Sequence, residues 1–356
     1  MLTALYRIWV VALKGSRYEY QEIYMVTIKD VAQDAGVAVG TVSKVLNGQH
    51  VSEKNRIKVE ESVKKLGYQM NFYARGLKTK NTYTVAALVP EILNPFFAEW
   101  VYYIEQELYK NGYKLLLCNT QGMPEKEEYY YRMAEQNKVD GIICVTYQDV
   151  EPYVSENIPL ISLDRHFHKK VSCISSDNYH GGELAAQKMI STGSKHLLYM
   201  RSGSEISGET LKRGKGFRDY CDAHGVSCEL LNLGDDFDLV RGKTSVEEVM
   251  RNFIISSRKT GKMRYDGIYT STDLLAQALL EQLKLLGVDV PKEVQIVGHD
   301  GMQWMNRGKY LVSTIVQPVP DMARKSVELL LKKIRGEEIE TLTILPVTFA
   351  EGGTTR

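Results

Sequence analysis

The stretch TIKDVAQDAGVAVGTVSKVLNGQHVSEKNRIKVEESVKKLGYQMNFYARGL, from Thr27 to Leu77, decides the fold of the first part of the chain. Its apolar residues recur at intervals of three and four, which predicts three short helices. Thr27 can cap the first helix, and Asp30, three residues later, can return a hydrogen bond to the same cap. Gly36 follows where the chain must turn sharply, because glycine tolerates positive φ.

Two short helices around a tight turn, followed by a third helix, form the helix-turn-helix arrangement. Ser52 can cap the third helix, and Gly67 ends it. In this arrangement the second helix enters a DNA major groove. Because a structural helix hairpin would show the same apolar spacing, the spacing alone leaves both interpretations open. The side chains that the second helix would expose are small or polar: Val39, Gly40, Thr41, Ser43, Lys44 and Asn47.

The sequence of this segment closely resembles that of the DNA-binding head of the LacI/GalR family of bacterial transcription regulators. The resemblance implies a helix-turn-helix DNA-binding domain at residues 25–68. The matching motifs are TIKDVA (27–32), AGV (35–37), TVSKVLN (41–47), VS (51–52), LGY (66–68) and N-x-x-A-R-G-L (71–77).

The resemblance also implies how the head contacts DNA. Val39, Gly40 and Lys44 occupy the positions with which family members read bases. Lysine replaces the commoner arginine there; it can still donate to guanine, but it lacks the rigid fork of arginine. Gly40 has no side chain, so this position reads little and DNA shape would contribute more. Contacts to the DNA backbone are expected from Thr27, Asn47, Ser52 and Asn55, with His50 contacting the backbone or a base edge.

Residues 69–82 form a basic linker that follows the head. In the family the matching segment folds into a helix on DNA and pushes a leucine into the minor groove, and Leu77 occupies that place here. Ala74 is the small residue that lets two such helices approach each other in a dimer. Met70 replaces the proline that the family usually has before Asn71, which makes this hinge less stiff. A flexible linker with no role on DNA is the alternative.

Charge is distributed unevenly along the 356-residue chain, whose net charge is +1. Residues 25–80 hold 10 Lys and Arg against 5 Asp and Glu, whereas residues 81–356 hold 32 against 37. A basic head on an acidic body is expected where the head meets phosphate. A solvated charged surface would give the same balance.

The remaining composition disfavours secreted and membrane proteins. Five cysteines, with no C-x-x-C pair, indicate reduced thiols in a cytoplasmic protein. No apolar run approaches the roughly 20 residues that span a bilayer. Residues 1–24 lack an A-x-A cleavage site, so a secretory signal is disfavoured. We expect these residues to be a disordered leader or the product of an upstream start, with Met25 as the native start.

From Tyr83 onwards, short apolar runs typical of strands alternate with helical stretches. TVAALVP, KLLLCN, GIICV and VQIVGHD are examples of the strand-type runs, and ILPVTF closes the chain as one more. Apolar strands that alternate with helices predict parallel sheets covered on both faces.

This body, residues 83–356, resembles the same family along nearly its whole length. The resemblance implies a fold class with a small all-α helix-turn-helix head, then an α/β two-lobed periplasmic-binding-protein-like body with parallel sheets. One lobe would comprise residues 83–176 and 318–345, and the other residues 177–317 with the C-terminal end. The matching motifs are NPFF (94–97), DGII (140–143), SLDR (162–165), SDNYHGG (176–182), R-x-x-G-F (213–217), STDLLAQ (271–277), VGHDG (297–301) and TIVQP (314–318).

Acidic residues follow several predicted strands, at the place where open α/β sheets bind ligands. Asp164, Asp177, Asp273 and Asp300 are these residues, and Arg213 begins a helix. Carboxylates accept hydrogen bonds from hydroxyls and arginine donates to them, which favours a polyhydroxylated ligand. Asp177 has a competing role as a helix cap, and Arg213 and Asp300 could form an internal salt bridge instead. By resemblance, the effector contacts are Phe96, Phe97, Asp164, Arg213, Phe237, Asp273 and Asp300.

Patterns for catalysis or metal binding are weaker. His166 and His168 form an H-x-H beside Asp164, which His180 and His299 could complete, but ordinary surface or core histidines explain them better. The chain lacks a G-x-S-x-G elbow and a Walker loop, and nothing assigns one aspartate as acid and another as base. We therefore expect no metal, no cofactor and no enzymatic activity.

Together these patterns predict a LacI/GalR-type transcription regulator, in particular a repressor. A cytoplasmic homodimer would bind a pseudo-palindromic double-stranded DNA operator, and a sugar or sugar phosphate between the lobes would change its operator affinity. No membrane partner is expected. Two other classes stay open: a sugar-binding protein of a transport system, which the head disfavours, and a sugar-processing enzyme.

Overall fold

The structure is a computed structural model in which the chain divides into two compact units, residues 1–80 and residues 81–356. In the described part of the chain, none of the helices combines the length and the apolar character needed to cross a membrane. The predicted contacts Asn47, Asn71, Ala74, Leu77 and Phe237 lie outside the described residues, as does most of the hinge. The structure describes residues 8–14, 17–23, 26–46, 49–68, 81–136, 139–155, 157–167, 171–203, 209–234, 245–259, 261–303 and 308–356.

The segment before the head, which the sequence analysis takes as a disordered leader or the product of an upstream start, contains an antiparallel hairpin. Strands β1 (Ile8–Lys14) and β2 (Arg17–Ile23) pair along their whole length. Both segments are rich in β-branched or aromatic residues, which favour extended backbone. Pairing then satisfies the backbone N–H and C=O groups of each strand, which is the physical reason for the departure from the expected disorder.

Three helices form the head: α1 (Ile28–Ala35), α2 (Val39–Leu46) and α3 (Glu53–Leu66). The predicted capping box is confirmed, because the Thr27 amide donates to Asp30 Oδ2 at 2.7 Å and the Asp30 amide donates to Thr27 Oγ1 at 3.4 Å. Gly36, with φ of 63°, ends α1 in the left-handed conformation. The small core of the head consists of Val31, Ala32, Ala35, Val42 and Val59.

Ser52 precedes α3 as predicted, but its hydroxyl makes no capping hydrogen bond. Its carbonyl instead accepts from the amides of Asn55 and Arg56 at 2.9 and 3.0 Å. Because Ser52 is exposed, water can satisfy the amides that the hydroxyl would otherwise cap. Gly67, with φ of 62°, ends this helix as expected.

The body alternates strands and helices. In chain order its elements are β3 (Thr84–Val89), α4 (Pro95–Lys110), β4 (Lys114–Asn119), α5 (Pro124–Gln136), β5 (Gly141–Val145), β6 (Leu160–Leu163), β7 (Ser172–Ser176), α6 (Asn178–Ser191), β8 (His196–Arg201), α7 (Lys212–Ala223), β9 (Ser227–Asn232), α8 (Val246–Ser256), β10 (Arg258–Lys259), β11 (Lys262–Met263), β12 (Gly267–Thr270), α9 (Asp273–Leu285), β13 (Gln295–Asp300), β14 (Ser313–Val316), α10 (Val319–Ile334), β15 (Leu342–Leu345) and β16 (Thr348–Ala350).

Two six-stranded sheets organise the body into two lobes. The first has the order β15-β7-β6-β5-β3-β4 and is parallel throughout. The second has the order β16-β14-β13-β12-β8-β9 and is parallel except for β16. Separate apolar clusters lie on the two faces of each sheet, so the central strands are buried on both sides. This is the architecture that the apolar runs predict.

The chain passes between the lobes three times, after Ser176, after Val316 and after Leu345. The last passage divides ILPVTF, which the sequence analysis takes as one strand. Its first part pairs with β7 in one sheet, and its second part pairs antiparallel with β14 in the other. Pro346 lies between the two parts and has no N–H to donate, which favours a break in the strand.

Candidate functional site

The outer face of α2 is the first candidate site. Val39 is 42% exposed, and Gly40 and Lys44 are also exposed. Val42 is buried in the head core, so it fixes which side of the helix faces outward. A side chain at Gly40 would meet no atom within 4 Å, so the helix surface is open at this position.

The other predicted head contacts differ in how accessible their polar groups are. His50 and Ser52 are exposed, whereas Thr41, Ser43 and Asn55 are half-buried. Thr27 is exposed, but its hydroxyl donates to Asp30 Oδ2 at 2.7 Å. Its capping role is therefore established in the structure, and its contact with DNA stays a prediction.

The second candidate site lies where strands of the two lobes end. Asp164 follows β6 of the first lobe, Asp300 ends β13 of the second, and Arg213 is in the first turn of α7. These side chains are only 8%, 7% and 5% exposed, respectively. The charges of both aspartates act on Arg213, so the structure brings these three predicted residues into one electrostatic unit.

Asn178 holds this unit together at the start of α6. Arg213 Nε donates to Asn178 Oδ1 at 2.6 Å, and Asn178 Nδ2 approaches Asp164 Oδ1 at 3.5 Å. The same Nδ2 donates to Ser175 Oγ at 2.9 Å. Arg213 Nη1 donates to the Ser271 carbonyl at 2.6 Å. Hydrogen bonds to neutral groups therefore orient the guanidinium, and the described residues form no salt bridge with it.

Gln317 plays the corresponding role for Asp300. Its Nε2 donates to Asp300 Oδ1 at 2.9 Å, and its Oε1 accepts from Ser176 Oγ at 2.7 Å. Ser176 and Gln317 lie at the first and second passages between the lobes. A hydrogen-bond chain therefore joins a predicted effector residue to both of these passages.

The buried charges of Asp164, Arg213 and Asp300 perturb one another. Burial raises the pKa of Asp164, and Arg213 partly opposes this effect. Burial likewise raises the pKa of Asp300 to about 8. Burial lowers the pKa of Arg213, but Asp300 outweighs that effect with help from Tyr269 and Asp164, and the guanidinium stays charged. Several carboxyl groups thus compete for one cation.

Both carboxylate oxygens of Asp273 already accept hydrogen bonds from the protein. Its Oδ2 accepts from the amides of Gly301 and Met302 at 2.9 and 2.8 Å, and its Oδ1 accepts from Thr314 Oγ1 at 2.6 Å. Burial raises its pKa to about 6, although these hydrogen bonds favour the ionised form. Asp273 therefore fastens the segment after β13, and its contact with an effector stays a prediction.

Phe96 and Phe97 lie in the first turn of α4, which Asn94 caps by accepting from the Phe96 amide at 3.0 Å. Their rings meet edge to face with centroids 5.4 Å apart, and both are almost fully buried. Asp177 accepts from the His180 amide at 3.0 Å and so has the capping role that competes with ligand contact.

Sequence reasoning missed the residues that support this second candidate site. Asn178 and Gln317 lie inside the quoted motifs SDNYHGG and TIVQP, but nothing local shows which side chains they contact. Tyr147 was also missed; it is 44% exposed, desolvation raises the pKa of its hydroxyl, and the charges of Asp164 and Arg213 act on it. Glu209, four residues before Arg213, is fully buried and contacts His166 and Lys212.

The histidines do not assemble into a metal site in the part of the chain that the structure describes, where no group of three or more metal-ligating side chains occurs. His166 pairs with Glu209, His180 pairs with Glu183, and His299 Nδ1 contacts the Tyr269 hydroxyl at 2.6 Å. His168 lies outside the described residues. All five cysteines are free thiols, and four of them are buried.

Family models match both the head and the body of the chain. The family described as "Bacterial regulatory proteins, lacI family" matches residues 27–71, and "Periplasmic binding proteins and sugar binding domain of LacI family" matches residues 82–351. The chain is 32% identical over 327 residues to the sucrose operon repressor of Streptococcus mutans, covering 91% of this chain and 98% of that one. It is 33% identical over 335 residues to the ribose operon repressor of Bacillus subtilis, covering 93% and 99%.

Solved structures show the same fold. A periplasmic binding protein/LacI transcriptional regulator from Alkaliphilus metalliredigens, complexed with D-xylulofuranose, is 31% identical and covers 77% of this chain and 99% of its own, with a TM-score of 0.66. The Lac repressor dimer bound to operator and the anti-inducer ONPF is 20% identical and covers 93% and 99%, with a TM-score of 0.80; it supports the fold alone. With these matches along most of its length, the chain belongs to the LacI family of bacterial regulatory proteins.

Proposed function

We propose that the protein is a transcriptional repressor whose affinity for operator DNA is set by a sugar or sugar phosphate bound in the body. One observation carries this proposal: a single chain combines a helix-turn-helix head with an exposed α2 face and a body whose two lobes converge on Asp164, Arg213 and Asp300. The family membership supports it, because the relatives described above are named as operon repressors.

On DNA, the protein would act as a homodimer in the cytoplasm, with one head on each half-site of a pseudo-palindromic operator. Two-fold symmetry places one α2 helix in each half-site. Lys44 would donate to guanine in the major groove, while the missing side chain at Gly40 lets the helix lie close to the DNA. The basic charge of residues 25–80 favours the phosphate backbone without regard to sequence. We assign residues 25–68 to this head and residues 69–82 to the hinge.

In the body, residues 83–356, an effector between the lobes would contact Asp164 from one side and Asp300 and Arg213 from the other. A ligand that touches both lobes stabilises the arrangement in which they lie close together. The hydrogen bonds from Asp300 through Gln317 to Ser176 connect that contact to the passages between the lobes. Coupling of about 1–3 kcal/mol between the two sites is enough to change operator affinity 5- to 150-fold.

The DNA-binding part of the proposal is tested with an operator selected from random double-stranded DNA by the full-length protein. Fluorescence anisotropy then compares wild type with Lys44→Ala, which should bind the selected operator about tenfold or more weakly. Lys64→Ala is the matched control, since Lys64 is an exposed lysine on α3 and its loss removes the same charge. Equal losses in the two variants would refute base reading by Lys44.

Two alternative functions predict different results in the DNA selection and in a turnover assay. A sugar-binding protein of a transport system would bind sugar but enrich no DNA sequence in the selection. A sugar-processing enzyme would convert its bound sugar into product, and Asp300→Ala would abolish that conversion. We expect sequence enrichment and no turnover, because the α2 face of the head is exposed and the relatives described above are named as operon repressors.

A further inference from the structure

Two cysteines lie against each other where α7 ends and β9 begins. Cys221 is in the last turn of α7 and is fully buried, and Cys228 is the second residue of β9. Cys228 packs against the apolar cluster that contains Cys221, and the Cys221 thiol donates a hydrogen bond to the Cys228 sulfur. Both are free thiols, so two reduced sulfur atoms from different elements are in direct contact.

The backbone holds the two elements in this arrangement. After α7 the chain turns back, and the Val226 amide donates to the Cys221 carbonyl at 3.0 Å. Further along β9, a methyl group added at Gly214 of α7 would lie 3.1 Å from Leu230 Cδ2. Because alternate residues of an extended chain share a face, Cys228 faces α7 together with Val226 and Leu230. The contact between the thiols is therefore part of the packing of α7 on β9.

Cys228 combines solvent access with surroundings that favour its thiolate. All five cysteines lie in the described part of the chain, and Cys228 alone among them is partly exposed. The hydrogen bond from Cys221 lowers the pKa of the Cys228 thiol, and the positive charge of Arg218 adds to this effect. Burial and the negative charges of Asp222 and Glu229 oppose it only in part. A lowered pKa increases the fraction of thiolate, which is the form that reacts with oxidants.

The other four thiols are protected from oxidants. Cys118, Cys144 and Cys173 lie in the first lobe and are at most 1% exposed, and burial raises the pKa of each thiol to about 12. The hydrogen bond to Cys228 and burial also raise the pKa of Cys221. Because exposure and thiolate character decide which cysteine is oxidised, an oxidant should react first at Cys228, with Cys221 as the adjacent second thiol.

From this arrangement we propose that Cys228 and Cys221 form an oxidation site, which closes to a disulfide within the chain when hydrogen peroxide reaches the protein. The Cys228 thiolate attacks one peroxide oxygen, the O–O bond breaks, and hydroxide leaves and takes up a proton, so that Cys228 becomes a sulfenic acid. The Cys221 sulfur then attacks the Cys228 sulfur, the S–S bond forms, and the sulfenic oxygen leaves as water with the Cys221 proton. Both thiols are thereby oxidised, and the peroxide is reduced to water. This inference goes beyond the proposed function, because the reaction needs neither DNA nor effector.

The test is peptide mapping of the full-length protein after treatment with a small molar excess of hydrogen peroxide and alkylation of the remaining thiols. Trypsin leaves both cysteines in one peptide, residues 219–241, because the first Lys or Arg after Arg218 is Arg241. We expect this peptide to escape alkylation and to be lighter than the reduced peptide by the mass of two hydrogen atoms. Dithiothreitol should reverse the change.

The three cysteines of the first lobe serve as internal controls in the same digest. Oxidation of the peptide 219–241 should be at least about tenfold faster than oxidation of these buried thiols. Equal rates would overturn the inference, as would a sulfinic acid at Cys228 in place of the disulfide, or a disulfide that links two chains.

Two single variants separate the roles of the two sulfur atoms. In Cys221→Ser, oxidation of Cys228 should stop at the sulfenic acid, which dimedone labels. In Cys228→Ser, the buried Cys221 should stay reduced, and oxidation of Cys221 at the wild-type rate would overturn the assigned order of attack. Cys173→Ser is the matched control, because it removes a buried thiol from the other lobe and should leave the disulfide unchanged. If Cys221→Ser does not fold, the mapping of the wild-type protein still decides whether the disulfide forms.

Discussion

Helices α6 and α7 touch so closely that only glycine fits between them, which makes Gly182→Ala a sharp perturbation. A methyl group at Gly182 would lie 2.1 Å from the Arg213 carbonyl oxygen and 2.6 Å from the Phe217 nitrogen. On the facing helix, a methyl at Gly216 would lie 2.0 Å from the Tyr179 carbonyl oxygen. All of these neighbours are backbone atoms, so relief of the clash requires the two helices to separate by about 1 Å.

The cost of this separation should exceed the gain in helix propensity. Alanine stabilises a helix by about 0.5–1 kcal/mol relative to glycine. Overpacking in a well-packed core costs about 1–3 kcal/mol, and backbone atoms leave little room to relax, so we expect a net loss of about 2 kcal/mol. For a unit of this size that lowers Tm by roughly 4–8 °C. Because Asn178 is on α6 and Arg213 on α7, their 2.6 Å hydrogen bond would lengthen beyond bonding distance as well.

Differential scanning calorimetry of the full chain measures the change in Tm, and effector titration measures the loss of affinity. Gln187→Ala, an exposed position on α6, controls for substitutions that do not touch α7. Gly40→Ala repeats the same chemical change on α2, where a methyl meets nothing within 4 Å. A Tm for Gly182→Ala within about 1 °C of wild type would show that the helices adjust freely and would refute the reasoning.

Three further predictions concern the helix cap at Asp30, the guanidinium of Arg213 and the buried carboxyl group of Asp300. Asp30→Ala removes one side of the capping box and should lower the stability of the head by about 1 kcal/mol, seen as faster proteolysis of the head and weaker operator binding, with Lys29→Ala as the control. Arg213→Ala should abolish the effector response while operator affinity without effector stays normal; a retained response in anisotropy titrations would remove Arg213 from the site. Asp300 has a pKa of about 8 in the folded protein, above its ordinary value of 3.8, so its contribution to stability is complete at low pH and is lost as pH rises through 8. Asp300→Asn cannot ionise, and its Tm relative to wild type should therefore rise between pH 5 and pH 8.5; a constant difference across that range would contradict the raised pKa.

Local features of the head were predictable because they depend on residues close together in the chain. The Thr27–Asp30 capping box spans one helical turn, and the left-handed Gly36 and Gly67 end helices whose apolar spacing is visible in the sequence. The alternation of apolar strands and helices in the body likewise predicted parallel sheets. These signals arise from backbone conformation and from the repeat of side chains along one element, and neither requires knowledge of distant segments.

The site around Asp164, Arg213 and Asp300 was predictable in part. Motif resemblance named Asp164, Arg213 and Asp300, and the structure places their charges in one unit. Nothing in the sequence showed that Asp273 would use both of its oxygens on Gly301, Met302 and Thr314, or that Glu209 would be buried beside Asp164. The partners of a buried polar group come from whichever segments the fold brings next to it.

The sequence by itself therefore determined the kind of protein, the existence of the three head helices and the class of the body. Only the tertiary structure decided that ILPVTF divides between two sheets, that Ser176 bonds Gln317 across 141 positions, and that Gly182 lets α7 approach α6. The physical reason is the separation along the chain over which each interaction acts. Helix caps and apolar periodicity act within a few residues, whereas sheet pairing, close packing and hydrogen bonding of buried groups depend on contacts between segments far apart in the chain.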